Sequence, residues 1–211
     1  MPLDSASDIA KALDSKSRRP ARKAAKARRP RRESLKTITT RLYSNWSELV
    51  RTRAGMKCEV CGREHSSSAP LNAHHIMPRQ SFTGLRFDPD NGIALCPKCH
   101  KMGKFSAHRG GIWFADWLRT FKPGRHDHCL AHKDDELDCK DRRLLYLQEV
   151  ELDDALGMTL PQFEVRVLHK DGSCGSVKVT AHNAKAAEYI AFSGMHESPV
   201  KGIVKVEKVK E

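Results

Sequence analysis

The sequence predicts an α+β protein built around a unit of strand, loop, strand and helix. Flanking helices and a small C-terminal ββαβ unit complete the predicted fold. Three observations favour it: two Cys-x-x-Cys pairs are separated by 34 residues, helical apolar spacing lies on either side of them, and strand-like alternation begins near residue 160. A chain of 211 residues has room for one ordinary domain and a second small one.

Residues 1–33 form a basic arm that we expect to be disordered by itself. Residues 1–32 hold 11 Lys and Arg against three Asp, so they supply +8 of the formal net charge of +12. Such a segment has too little apolar surface to form a core. We expect it to track the backbone of DNA through counterion release, and a solvated tail with incidental polyanion binding is the alternative. Its candidate DNA-binding residues are Arg18, Arg19, Arg22, Lys23, Lys26, Arg28, Arg29, Arg31 and Arg32.

A helix is predicted over residues 34–54, at the start of a domain that we expect to extend over residues 34–125. Its apolar residues recur near a 3.6-residue spacing, and Gly55 follows as a stop. We expect this helix to pack on the core without taking part in chemistry. A phosphate contact from Arg51 or Arg53 is the alternative. The apolar residues are Leu35, Ile38, Leu42, Trp46, Leu49 and Val50.

The two Cys-x-x-Cys pairs are the strongest signal in the chain. Each pair is a knuckle that places two thiolates on one side of a tight turn, and two knuckles complete a tetrahedral site of four sulfurs. Structural Zn²⁺ is the ion that this ligand set favours. The predicted ligands are Cys58, Cys61, Cys96 and Cys99.

A hairpin is predicted inside the loop that this metal would close. Residues 71–76 form the first strand and residues 92–95 return antiparallel to it, because the segment between them is rich in turn-forming Pro, Gly, Asp and Asn. Pro97 suits the first turn of a helix. That helix would carry Cys99 and His100 and could run toward residue 108.

Helices are also predicted after the hairpin. Residues 112–121 are rich in aromatic side chains and predict a short helix that packs beneath the core. Residues 126–159 are predicted to be a helical linker region. A second zinc site is an alternative interpretation of this region, because two of its histidines have i, i+4 spacing. Its candidate ligands are His128, Cys129, His132 and Cys139.

The last unit covers residues 160–211 and is predicted to be a ββαβ domain. Alternating apolar residues predict two strands around a turn at residues 170–173. Asn183 can cap an Ala-rich helix that Gly194 would end, and a final strand follows. The sequence of this unit predicts no role for it.

The zinc-binding stretch resembles the HNH endonuclease family in its four-cysteine form. The resemblance is carried by Cys58-Glu-Val-Cys61, Ala73-His74-His75-Ile76-Met77-Pro78 and Asn91-Gly-Ile-Ala-Leu-Cys96-Pro-Lys-Cys99-His100. The segment that leads to the first Cys-x-x-Cys pair, residues 46–53, is similar to the corresponding segment of HNH proteins of bacteriophages. The resemblance implies a ββα-metal (His-Me finger) core that hydrolyses DNA phosphodiester bonds with a divalent cation.

The same resemblance implies roles for individual residues. His75 matches the general base, His74 and His100 match ligands of the catalytic metal, and Asn91 matches the residue that braces the loop. His108 is a further candidate, either as a metal ligand or as a donor to phosphate. Adjacent residues of a strand point to opposite faces, so His74 and His75 can both face one metal only if the strand bends or bulges.

Two kinds of metal are therefore predicted: structural Zn²⁺ and a separate catalytic cation. Imidazole ligands tolerate Mn²⁺, Zn²⁺ or Ni²⁺, whereas Mg²⁺ prefers oxygen, so a strict requirement for Mg²⁺ is less secure.

Three function classes stay open at this point. A DNA endonuclease is favoured, a catalytically inactive zinc-dependent DNA-binding protein is the main alternative, and a structural or packaging-associated phage protein is the third. No apolar run approaches the length of a membrane span, and the seven cysteines are an odd number. We therefore expect a cytoplasmic protein of a bacterial or phage-infected cell, with DNA as its partner and no membrane.

Overall fold

The computed structural model describes residues 28–29, 31–66, 70–194 and 200–209. Within these ranges the chain forms five α-helices, a two-stranded sheet and a three-stranded sheet, so the fold is α+β as predicted. Five candidate residues of the basic arm lie outside the described residues: Arg18, Arg19, Arg22, Lys23 and Lys26. No helix of the described ranges is both long and apolar enough to cross a membrane.

Helix α1, Leu35–Arg53, is the element against which the hairpin packs. Ser34 caps it, because its Oγ accepts a hydrogen bond from Thr37 N at 3.1 Å. Its buried residues are spaced four apart, which places them on one face of the helix. They are Ile38, Leu42, Trp46 and Val50.

Strands β1, Asn72–His75, and β2, Gly92–Leu95, pair antiparallel and form the hairpin. The register runs from Asn72 opposite Leu95 to His75 opposite Gly92 without a shift. Strand β2 is buried on both faces because α1 lies directly on it. A Cβ on Gly92 would come within 3.1 Å of the Trp46 ring, so this close approach requires glycine.

The predicted helix after the second knuckle is much shorter than expected. It is a single π-helical turn, Lys98–Met102, and it does not run on toward His108. Gly103 ends it, because its backbone is extended (φ −75°, ψ 155°). The chain then folds back, and Ala107 N donates to Cys99 O at 2.9 Å.

Three helices follow: α2, Gly111–Phe121, α3, Pro123–Ala131, and α4, Arg142–Ala155. Helix α4 packs along α1, and its buried residues include Leu145, Tyr146 and Leu152. An ion pair between Arg41 and Glu149 joins the two helices across this contact, and Arg41 also pairs with Glu33, which precedes α1. Arg41 Nε donates to Glu149 Oε1 at 2.5 Å, and Arg41 Nη1 donates to Glu33 Oε1 at 2.9 Å.

The C-terminal unit consists of β3, Gln162–His169, β4, Cys174–Thr180, α5, Ala184–Gly194, and β5, Val200–Lys208. The three strands are antiparallel in the order β4-β3-β5, and α5 contacts all three strands. Asn183 Oδ1 accepts from Lys185 N and Ala186 N, which starts the helix.

Candidate metal centres and cleft

The four predicted zinc ligands lie together between the first knuckle and the end of the hairpin. Each offers a sulfur, and the four Sγ atoms lie within 4.8 Å of one another. The Sγ atoms of Cys61 and Cys96 are 3.8 Å apart, and all four cysteines are free thiols. Tetrahedral Zn²⁺ with Zn–S bonds of about 2.3 Å places its sulfurs about 3.8 Å apart, so the residues fit this ion. The ligands are Cys58, Cys61, Cys96 and Cys99.

A buried carboxylate ties the first knuckle to the rest of the domain. Glu59 Oε1 accepts from Ala94 N of β2 at 3.1 Å and from Arg125 Nη1 of α3 at 2.9 Å. Lys122 Nζ lies 3.0 Å from Glu59 Oε2. The pKa of Glu59 lies below its usual value although burial raises it, because these partners stabilise the carboxylate. The knuckle is therefore held against both the sheet and α3.

A second set of ligands is formed by His74, His100 and His108, whose ring nitrogens lie within 4.8 Å of one another. The Nε2 atoms of His100 and His108 are 3.2 Å apart. Two imidazoles on a tetrahedral metal with bonds of about 2.05 Å would be about 3.3 Å apart, so this set also fits a metal. The backbone brings His108 there, because its N–H donates to His100 O at 3.2 Å.

The electrostatics of two members of this set, His74 and His100, favour neutral imidazoles. Burial, together with the nearby His100 and His108 rings, lowers the pKa of His74 to about 3. Burial and His108 lower the pKa of His100 to about 4. A neutral imidazole has a free lone pair, which is the form that binds a metal.

His75 lies on the opposite face of β1, as regular strand geometry requires. Its ring stacks on the indole of Trp46, with centroids 3.9 Å apart, and its Nε2 lies 2.9 Å from Arg86 O. A carbonyl oxygen can only accept, so Nε2 carries the hydrogen and Nδ1 carries the lone pair. Burial lowers the pKa of His75 below its usual value, which keeps this lone pair free. No bulge is needed, because the two adjacent histidines do not share one set of ligands.

Asn91 is fully buried and joins the two ends of the loop between the strands. Its Oδ1 accepts from Met77 N at 2.6 Å, and its Nδ2 donates to Leu85 O at 2.9 Å and to Met77 O at 3.1 Å. Leu85 precedes Arg86, whose carbonyl bonds to His75. Asn91 therefore holds the backbone on which the orientation of His75 depends.

Both histidines of β1 line one cleft of about 810 Å³. The cleft runs from the hairpin to α2 and α3, where Phe114 and Leu118 form an apolar wall. Two cationic side chains, Arg79 and Lys101, also line it. Within the described part of the chain no carboxylate does.

The alternative second zinc site is not brought together. His128 Nε2 lies 2.6 Å from Asp88 Oδ2, and His132 Nδ1 lies 2.8 Å from Asp135 Oδ2. Cys129 is instead buried beside Asn91 Oδ1, and Cys139 Sγ accepts from Arg86 Nη1 at 3.4 Å. In the described ranges, one further set of side chains could hold a metal besides the four cysteines and the three histidines. It consists of Asp88, Asp90 and His128.

The described part of the basic arm contacts the C-terminal unit. Arg28 Nη1 donates to Glu188 Oε2 at 2.8 Å, and Arg28 pairs with Ile203 through two backbone hydrogen bonds. Arg31 N donates to Glu188 Oε2 at 3.2 Å. The side chains of Arg29, Arg31 and Arg32 are exposed. The DNA-binding role of the arm stays a prediction.

Sequence reasoning missed two contributors to the site. Trp46 was interpreted as a packing residue, yet it forms the surface on which His75 stacks. Its place on the apolar stripe by which the predicted helix packs on the core was the available signal. The contact from the Arg86 carbonyl could not be predicted from the sequence, because every residue has a backbone carbonyl.

Comparison with known families supports the assignment made from the cysteines and histidines. Residues 58–104 match the family model described as HNH endonuclease. The match covers all four cysteines, both histidines of β1, the buried Asn and His100, and ends before His108. No curated protein and no solved structure matches the chain.

Proposed function

We propose that the protein is a metal-dependent endonuclease that hydrolyses DNA phosphodiester bonds, and the match of residues 58–104 to the HNH endonuclease family model supports this proposal. One observation carries the proposal: three histidines converge on one point of a cleft that also contains a fourth, separately held histidine. A module that only binds DNA has no need of this arrangement.

The three-histidine set is proposed to hold the catalytic cation. When bound, such a cation supplies charge neutralisation for the developing phosphorane and the leaving oxygen. Nitrogen ligands without a carboxylate favour Mn²⁺, Zn²⁺ or Ni²⁺ over Mg²⁺. The proposed ligands are His74, His100 and His108.

His75 is proposed to be the general base. Its Nε2–H is occupied by Arg86 O, so Nδ1 is the atom available to take a proton from the attacking water. The stacked Trp46 ring limits rotation of the imidazole about its bonds. Asn91 is assigned a positioning role, because it holds the loop that carries the Arg86 carbonyl.

Arg79 and Lys101 are proposed to bind the phosphates that flank the scissile bond. Both line the cleft and both are exposed, and no carboxylate of the described lining competes for them. Strands β1 and β2 with the turn Lys98–Met102 are proposed to form the ββα-metal core that the family resemblance implies. Zn²⁺ is the proposed structural metal, and phage origin stays a prediction from residues 46–53.

A plasmid-nicking assay with added Mn²⁺ tests the proposal. Wild type should nick, and His108→Ala should lose most of its activity at low Mn²⁺ and regain part of it at high Mn²⁺, as expected for a lost ligand. His126→Ala is the matched control, since His126 lines the same cleft but pairs with Asp127. A wild-type protein that binds DNA but never nicks it would instead support the inactive zinc-dependent DNA-binding protein.

A further inference from the structure

The segment that carries two of the three converging histidines has an unusual charge pattern. Residues 91–115 contain no Asp or Glu. Their four Lys and Arg side chains are all exposed, and in the described part of the chain none forms an ion pair with a carboxylate. These cations are Lys98, Lys101, Lys104 and Arg109. Four unpaired cations on one short segment fit a polyanion.

An aromatic pair lies within this basic segment, and its Phe105 ring is exposed while Trp113 is half-buried against the core. The Phe105 side chain is 59% exposed, and its ring centroid lies 5.8 Å from that of Trp113 at an interplanar angle of 47°. Lys104 Nζ lies 5.7 Å from the Phe105 centroid. Ring faces flanked by a cation are the combination that proteins use to stack the bases of single-stranded nucleic acid.

The loop that presents Phe105 is firmly held, so the exposure of the ring does not come from a loose segment. The next residue, Ser106, is fully buried, and its carbonyl accepts from Arg109 N at 3.1 Å and from Gly110 N at 2.8 Å. Gly110 packs closely on this loop, since a Cβ there would lie 3.3 Å from Phe105 Cα. A well-anchored backbone thus holds a large aromatic ring in solvent.

The position of the ring relates it to the proposed chemistry. Phe105 lies between His100 and His108 in the chain, and the backbone bond from His108 N to His100 O closes the loop that contains it. Lys101, in the same loop, lines the cleft. Phe105 does not itself line the cleft, so a nucleotide stacked on it would lie beside the cleft, on the loop that joins His100 to His108.

We propose that Phe105 and Trp113 form a stacking platform for an unpaired base next to the scissile phosphate. The inference rests on the proposed endonuclease function and names its substrate class: DNA with unstacked bases, such as a single strand, a flap or a gap. In a regular duplex both faces of each base are covered by neighbouring bases, so the platform has nothing to stack on. Lys104 and Arg109 contribute positive charge that attracts the DNA backbone to the same site.

Binding of matched single-stranded and duplex oligonucleotides tests this platform. Fluorescence anisotropy is measured in a His75→Ala background, so that the DNA stays intact. Phe105→Ala should weaken single-strand binding roughly 5- to 150-fold, the range that loss of one base–aromatic stack implies. Duplex binding should change little. Phe105→Trp should restore single-strand binding, because it keeps a ring face.

Ile112→Ala is the matched control. Ile112 is 91% exposed near Trp113 but has no aromatic face, so its removal should leave both affinities unchanged. If Ile112→Ala weakens binding as much as Phe105→Ala does, the patch acts as a general apolar surface without a specific role for the aromatic ring, and the platform is overturned. Unchanged single-strand binding by Phe105→Ala also overturns it.

Cleavage by the otherwise native protein separates the two proposals. Metal-dependent cutting together with Phe105-independent binding would refute the platform and leave the endonuclease function in place. Phe105-dependent single-strand binding by a protein that cuts no substrate would refute the endonuclease function and support the platform as a binding site. Equal loss of single-strand and duplex affinity in Phe105→Ala would contradict the preference for unpaired bases.

Discussion

The imidazole of His75 lies flat on the indole of Trp46, with ring centroids 3.9 Å apart and planes 14° apart. The indole is itself fixed, because its Nε1 donates to Asp88 O at 2.8 Å and its ring is 2% exposed. A second constraint on the His75 ring is the hydrogen bond between its Nε2 and Arg86 O. The orientation of His75 is therefore determined by one ring and one carbonyl, neither of which touches the proposed metal set.

Trp46→Phe should slow cleavage without removing metal. A phenyl ring retains a stacking surface for His75 but cannot make the hydrogen bond to Asp88 O. The phenyl ring, and the His75 imidazole stacked on it, are therefore free to shift. Small misplacement of a catalytic group costs on the order of 10- to 100-fold, and we expect a loss in this range in the single-turnover rate at saturating DNA.

The control for this variant is Leu42→Ala, on the same buried face of α1. It should destabilise the fold by about 2–5 kcal/mol, yet leave the rate per folded molecule unchanged. If Leu42→Ala slows cleavage as much as Trp46→Phe does, the effect of Trp46 is only structural.

Purified protein should contain one tightly bound zinc, held by the four cysteines. Removal of one thiolate breaks the site, and structural zinc is coupled to folding, so Cys96→Ser should lose both the metal and a cooperative thermal transition. Cys129→Ser is the control, because Cys129 is buried but lies outside the four-sulfur cluster. Metal analysis by mass spectrometry decides the matter, and a folded wild type without zinc would contradict the assignment.

The contact between α4 and the segment before α1, where Tyr146 Oη donates to Glu33 Oε2 at 3.3 Å, should weaken in acid. The hydrogen bond from Arg41 holds the pKa of Glu33 below its usual value. A carboxylate with a lowered pKa in the folded state contributes stability above the unfolded pKa of about 4.3, and that stability is lost as pH falls through the folded pKa. Glu33→Gln should therefore be less stable than wild type at pH 7, and the difference should shrink below about pH 4.

Denaturant titrations at several pH values measure this difference. Glu48→Gln, which removes an exposed carboxylate of α1, serves as the control for the substitution itself. A stability difference between wild type and Glu33→Gln that is constant from pH 7 to acid would show that ionisation of Glu33 plays no part.

The basic arm should add affinity for DNA without sequence preference. Deleting residues 1–27 keeps Arg28, which contacts the C-terminal unit, and removes seven Lys and Arg residues. Each lost phosphate contact should lower the slope of log K against log salt by about 0.9 for duplex DNA. The measurement is a salt titration of binding to two unrelated duplexes. An unchanged slope would show that the arm is only a solvated tail.

Much of the candidate site could be predicted from local spacing. The Cys-x-x-Cys pairs fix their own geometry within each knuckle, so their sequence spacing alone predicted a four-sulfur cluster. The opposite orientations of His74 and His75 follow from their adjacency on a strand. The face of α1 that packs on the hairpin follows from residues spaced four apart.

Other features depend on long-range contacts that leave little trace in the sequence. The eight-residue offset between His100 and His108 does not correspond to one helix, because Gly103 ends the turn and the chain folds back onto Cys99 O. The ion pair between Arg28 and Glu188 spans 160 residues. Periodicity cannot predict such pairs, since it describes only neighbours along the chain.

The most direct test of the central claim is the single-turnover cleavage rate of His75→Ala, measured beside wild type at saturating DNA and Mn²⁺. If His75 is the general base, the rate should fall on the order of 10²- to 10⁴-fold, the usual contribution of a positioned proton acceptor. Zinc content and DNA affinity should stay at the wild-type level, because His75 contacts neither set of proposed metal ligands through a hydrogen bond. A His75→Ala protein that cuts at the wild-type rate would contradict the account.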